Sequence, residues 1–199
     1  VHSLSTAFVL GYHGCDADTG EKLLQNAPFQ KSKNDYDWLG SGIYFWESNP
    51  NRALDWAREL GKRKTRKGGG TSKPFVVGAV IDLGFCLDLI SSNGIQAVEQ
   101  AHKGLVAAAL ASHITLPVNE GGDDLLLRRL DCAVIEYLHT AREDQNEPRF
   151  DTVRGVFTEA KPLYDNSGFR RKTHIQLCVR NHDMIKGVFR VPKHHFTTA

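Results

Sequence analysis

Four short stretches of the chain carry side chains suited to chemistry. Tyr12-His13-Gly14 closes an apolar run, and Gly42-Ile43-Tyr44-Phe45 leads into a helix-start pattern. Residues 75–83 are apolar almost throughout and stop at Gly84. Residues 173–180 alternate, with His174, Gln176, Cys178 and Arg180 on one side and Ile175, Leu177 and Val179 on the other. Gly14 has no side chain, so a ligand can approach its backbone closely beside the His13 imidazole. Tyr44 offers a flat ring for stacking, as do Tyr36 and Trp38. Gln176 offers a carbonyl that accepts a hydrogen bond but cannot act as a general base. Basic side chains cluster at 58–67 and again at Arg170-Arg171-Lys172, where they could grip phosphates of a nucleotide or a nucleic acid. Each feature taken singly also has a plain structural reading. Tyr and Phe favour strands in any case, and basic runs are usually solvated.

The elements that must position these residues follow from local pattern. A strand over 8–12 runs into His13-Gly14, and 18–24 reads as a short helix with Asp18 or Thr19 as its cap. Residues 26–42 hold Pro28, Tyr36 and Trp38 and end in Gly40-Ser41-Gly42, which reads as a long ordered loop over a site. An aromatic strand over 43–46 precedes a helix capped by Ser48, with Pro50 in its first turn. Ala53, Leu54, Trp56, Ala57 and Leu60 give that helix its core face. Residues 62–70 read as an exposed basic and glycine-rich loop. A strand buried on both faces fits 74–83. Helices are expected over 95–110 and, capped by Asp123, to about 141. Strands are expected over 153–157, 173–180 and 185–191. Strands at both ends with helices between them make this an α+β chain.

Composition narrows the classes. The 199 residues are 41% hydrophobic and 24% charged, which excludes disorder, collagen and coiled coil as global descriptions. A formal charge of +2 means that any affinity for nucleic acid must rest on a local patch. Cys15, Cys86, Cys132 and Cys178 are scattered with no C-x-x-C pair, so no zinc or thioredoxin-like motif is present and free thiols in a reducing cytoplasm are expected. No apolar run approaches the roughly 18 residues that span a bilayer. The scattered His and Cys make no metal site.

In their order and context the four stretches resemble the catalytic domain of ADP-ribosyltransferases of the poly(ADP-ribose) polymerase type. That family carries His-Gly on its first strand, Gly-x-Tyr-Phe on its second and a Glu on a later strand. The resemblance covers roughly 11–90 and 153–191, and residues 75–89 look like the family's central strand with its Leu-Gly exit. It implies a single domain over 1–199, built on a split, mostly antiparallel sheet with flanking helices and a helical insertion at about 91–148.

The activity implied is transfer of ADP-ribose from NAD to a macromolecular acceptor, protein or nucleic acid, with release of nicotinamide. NAD is then a substrate, and no metal is needed. The catalytic set would be His13, Tyr44 and Gln176. His13 would bond a ribose hydroxyl, Gly14 the carboxamide, and Tyr44 would stack on nicotinamide. Ser41 and Trp56 complete the expected donor pocket, although Asp55 holds the ungapped position where the family has a tyrosine. Tyr36, Trp38, Glu159 and His174 are the acceptor-side or auxiliary candidates.

Gln176 stands where the family has Glu, which disfavours chain elongation and favours transfer of one ADP-ribose. Glu159, Asp35 or Asp37 could supply a carboxylate instead. A small transferase of this type resembles bacterial toxins, defence factors or effectors, and leaves room for an antitoxin or regulatory partner. Three other readings stay open: a hydrolase passing ADP-ribose to water, an inactive module that binds NAD or ADP-ribose, and a basic nucleic-acid-binding protein. On the transferase reading His13, Tyr44 and Gln176 should line one cleft.

Overall fold

The computed structural model describes residues 8–66 and 73–196. Part of the basic, glycine-rich stretch at 62–70 therefore lies outside the described residues. The elements run β1 (Phe8–Asp16), α1 (Ala17–Leu24), β2 (Ile43–Glu47), α2 (Pro50–Arg66), β3 (Pro74–Asp82), β4 (Cys86–Asp88), α3 (Ser92–Ala111), β5 (Asn119–Glu120), β6 (Leu127–Arg128), α4 (Arg129–Asp144), β7 (Thr152–Phe157), β8 (His174–Val179) and β9 (Ile185–Arg190). Seven strands form one sheet in the order β4-β7-β8-β2-β1-β3-β9. β4 pairs parallel with β7, and the other described pairings are antiparallel. The chain is therefore α+β with a mostly antiparallel sheet. The β4–β7 crossover is filled by α3, the β5–β6 hairpin and α4.

Helix ends show where local patterning decides and where it does not. Asp16, rather than Asp18 or Thr19, caps α1 and accepts from Thr19 N. Ser48 does not cap α2. It adopts a left-handed φ of 51°, and Asn49 Oδ1 accepts from Arg52 N at 3.0 Å instead. The first basic residues after Leu60 continue α2 as helix rather than loop, because Lys and Arg are good helix formers. α3 starts earlier than expected, at Ser92, with Ser91 as its cap. α4 begins at Arg129, not after Asp123, and Leu127 lies in β6. Its free N–H groups are met from a distance, since Asn119 Oδ1 accepts from Leu130 N and Asp131 N.

The two sheet faces are covered differently. On one face α1 joins Phe29, Phe45, Val77, Ile81 and Leu177 in a buried core. On the other, α2 packs through Ala53 against Tyr12, Trp46 and Val76, while α4 packs through Ile135 against Leu39, Val153 and Cys178. Between α2 and α4 this second face bears Trp46, His174 and Gln176. Trp46 pairs with Gln176 in the β2–β8 ladder, and His174 is one alternation away. No helix among the described residues is long and apolar enough to cross a membrane.

Candidate functional site

The strand order places β8, β2 and β1 side by side. Gln176, Tyr44 and His13 thus sit on three consecutive strands. Their side chains do not share one face. Tyr44 is the partner of Cys178 and Trp46 of Gln176, so Tyr44, Trp46 and Gln176 project together. Tyr12 is the partner of Trp46, which sets His13 opposite Phe45 on the reverse face. The His13 ring packs at 5.4 Å from Phe29 and 5.7 Å from Phe45. The single cleft expected for all three is corrected in this respect: the period-two alternation of each strand sends His13 into the α1-side core.

His13 still meets Tyr44 through the backbone. The β1–β2 register consists of Gly11 with Glu47 and Tyr12 with Trp46. Beyond it, His13 Nδ1 lies 2.9 Å from the Tyr44 carbonyl oxygen. The carbonyl accepts, so Nδ1 carries the proton. Burial lowers the His13 pKa, against the backbone hydrogen bond, and the ring is held neutral. His13 is a bridge where the two strands separate.

Tyr44 is anchored at its hydroxyl, which donates to Gly40 O at 2.8 Å and accepts from Leu39 N at 3.0 Å. Burial raises its pKa well above the ordinary value. The phenol is a structural pin for the 39–42 turn. Ser41 belongs to that turn, and its N–H donates to Glu136 on α4. Trp56 stands 5.9 Å from Trp46, with the Arg63 guanidinium 5.3 Å from its ring centre. Tyr36 is 38% exposed.

The auxiliary candidates converge more closely. Trp38 Nε1 donates to Gln176 Oε1 at 2.6 Å. Trp38 also packs against Phe157 at 5.3 Å. His174 lies 5.5 Å from Phe157 and 6.4 Å from Trp46. Glu159, just beyond β7, forms a buried ion pair with Arg52 of α2. The Arg52 guanidinium sits 5.8 Å from the Trp46 ring centre, and that of Arg128 4.3 Å from the centre of Phe157. Sequence reasoning missed Trp46, Arg52, Arg128 and Phe157. Trp46 was legible, being two residues from Tyr44 on the same strand face. Arg52 and Arg128 reach the cluster only through the fold.

The His174 pKa is lowered, chiefly by burial, and its Nδ1 faces the Lys172 carbonyl at 2.8 Å. All four cysteines are free thiols, and burial pushes Cys15 and Cys178 up to about 12, which leaves no thiolate nucleophile there. Among the described residues no group of His, Cys, Asp and Glu is placed to hold a metal ion.

The 39–42 turn is tied to α4 by an acid-sensitive contact. Burial disfavours the Glu136 carboxylate, but hydrogen bonds from Arg180 and Ser41 outweigh it and hold the pKa at about 2. Arg180 donates to both Glu136 oxygens, at 2.8 and 3.1 Å. A carboxyl depressed in the folded state stabilises above its unfolded pKa and loses that contribution as pH falls toward about 2. Its side chain is 38% exposed, so solvent screening reduces the effect to about 1–2 kcal/mol. Glu136→Gln should lower stability by that amount at pH 7 and flatten the acid limb below pH 4.5. Urea titrations at several pH values would reveal it, and an unchanged acid limb would count against the contact.

Comparison with known proteins gives one relative. An uncharacterized protein of Methanocaldococcus jannaschii is 25% identical over 190 residues, covering 88% of this chain and 83% of its own length. No family model matches the chain. No solved structure matches it either.

Proposed function

We propose that this protein is an NAD-dependent mono-ADP-ribosyltransferase. The observation that carries the reading is the adjacency of β8, β2 and β1. Three motifs far apart in the chain come to lie on adjacent strands, with His13 facing away from Tyr44 and Gln176 and reaching Tyr44 through its backbone carbonyl. Trp46, His174 and Gln176 on the same β2–β8 face add aromatic and polar groups beside it.

On this reading the glycosidic C–N bond of NAD breaks and its electron pair leaves with nicotinamide, which neutralises the pyridinium. An acceptor oxygen or nitrogen then bonds the ribose carbon and gives up its proton to a base. Gln176 orients a ribose hydroxyl, while the base is Glu159 or a group of the acceptor. His13 serves as a positioning residue that holds the Tyr44 backbone where β1 and β2 separate.

The test is NAD labelled on its adenylate half, incubated with protein and cell lysate, with product split between protease and nuclease digestion. Label lost to one treatment identifies the acceptor class. Gln176→Glu restores a carboxylate and should raise nicotinamide release at least tenfold, whereas Gln176→Ala should abolish it. Equal rates in all three forms would refute the assignment. A second reading, a non-catalytic module that binds ADP-ribose, is favoured by the resting engagement of Gln176 Oε1 with Trp38 and of Glu159 with Arg52. It would be marked by ligand binding with no nicotinamide release in any variant.

A further inference from the structure

We infer that Trp46, Arg52 and His174 form a binding site for a phosphorylated sugar, whose anion position Glu159 occupies in the resting protein. The anion site rests on the geometry alone, and only its assignment to an ADP-ribosyl diphosphate rests on the NAD reading. Trp46 Nε1, Arg52 Nε and Nη1, and His174 Nε2 are buried and find no hydrogen-bond partner among the described residues. Trp46 is 4% exposed and His174 6%, and the Arg52 side chain is 10% exposed. Buried polar atoms are nearly always paired in native proteins, so a group of them in one place needs an explanation. These three are contiguous, with Arg52 over the Trp46 ring and Trp46 beside the His174 ring.

Their chemistry specifies the partner. The indole and the guanidinium offer only N–H donors and require acceptor oxygens. Arg52 has spare donors at Nε and Nη1, and phosphate has enough oxygens to serve both Arg52 and Trp46. His174 carries its proton on Nδ1, facing the Lys172 carbonyl, so a neutral ring presents a lone pair at Nε2. That atom calls for a donor such as a hydroxyl. Anionic oxygens beside a hydroxyl describe a sugar phosphate.

Glu159 supplies the anion internally. Its carboxylate engages Arg52 Nη2 and is itself 6% exposed. The next residue, Ala160, has a φ of 69°, a left-handed conformation that a side chain disfavours. Its N–H is held by Asp124 Oδ2 at 3.0 Å. The turn that delivers Glu159 is thus kept in a disfavoured conformation by contacts from a distant loop. An incoming phosphate competes with Glu159 for the same guanidinium.

Calorimetric titration of the full chain with inorganic pyrophosphate, ADP-ribose and adenosine tests the site. ADP-ribose should bind at least tenfold tighter than pyrophosphate, and adenosine not at all. Glu159→Gln removes the internal competitor and should tighten pyrophosphate at least tenfold. His174→Phe should weaken ADP-ribose and leave pyrophosphate unchanged. The double variant Arg52→Met with Glu159→Met leaves no orphan charge, and its fold is checked by circular dichroism. It should weaken both phosphates at least tenfold, and it carries the test alone if Glu159→Gln does not fold. Absence of binding by either phosphate overturns the proposal. So does pyrophosphate affinity that is indifferent to the Arg52 and Glu159 changes. If the anions bind with these responses while NAD yields no nicotinamide, the transferase reading fails and the site stands.

Discussion

Gly14→Ala is expected to destabilise the protein by about 3 kcal/mol or more, at the upper end of overpacking in a close-packed interior. A Cβ at position 14 would lie 2.1 Å from the Ala53 carbonyl oxygen and 3.3 Å from Ala57 N, both backbone atoms of α2. A side chain can turn away from such a clash, but helix backbone cannot move without disturbing Ala53, Trp46 and Tyr12, which it buries. Gly14 therefore has a packing reason to be glycine, whatever a ligand asks of its backbone. Gly187→Ala on β9 is the control: a Cβ there meets nothing within 4 Å, and its stability should change by less than about 0.5 kcal/mol. Urea unfolding of both variants decides the matter. Equal midpoints for Gly14→Ala and the parent would mean that α2 does not seat on β1 as described.

Arg154→Met is expected to cost about 3 kcal/mol, because it leaves the largely buried Glu47 carboxylate without its counter-ion. Arg154 reaches from β7 across β8 and donates to both oxygens of Glu47 on β2, at 2.7 and 2.8 Å. It also meets Asp88 of β4 at 3.3 Å. The hydrogen bonds it donates to Glu47 hold the guanidinium above its ordinary pKa, against the cost of burial. Three strands are thus tied by one side chain on the face opposite the candidate site. The side chains of Arg154 and Glu47 are 19% and 12% exposed, so the loss is not relieved by water. Replacing both, with Arg154→Met and Glu47→Leu, should recover most of the stability, since an apolar pair of similar volume fills the space. A double variant as unstable as the sum of the single ones would contradict this account.

Much of this architecture was legible from residue pattern. The run over 75–83 and the alternation over 173–180 identify β3 and β8, because a strand's burial on one or both faces is written in its period. The helical spacing of Ala53 and Ala57 likewise identifies the buried stripe of α2. The helix starts were read less well. Ser48 and Asp123 have the right chemistry for caps, but α2 is capped one residue later and α4 by Asn119 from another element. A cap contributed from elsewhere leaves no trace next to the helix it serves.

The candidate site divides in the same way. Residue types together with the family resemblance marked His13, Tyr44, Gln176, Trp38, His174 and Glu159 as able to do chemistry, and local alternation set each strand's faces. Only the tertiary structure decided which of them meet. Strand order brought β8 and β1 to either side of β2, and register then turned His13 to the face away from Tyr44 and Gln176. Register depends on side-chain packing from both sheet faces at once, and one residue of slip would invert every side chain on a strand. The pairing of Arg52 with Glu159, over a separation of 107 residues, arises from helix docking and loop closure. Such long-range contacts are fixed by the packing of whole elements, which no local window of the chain contains.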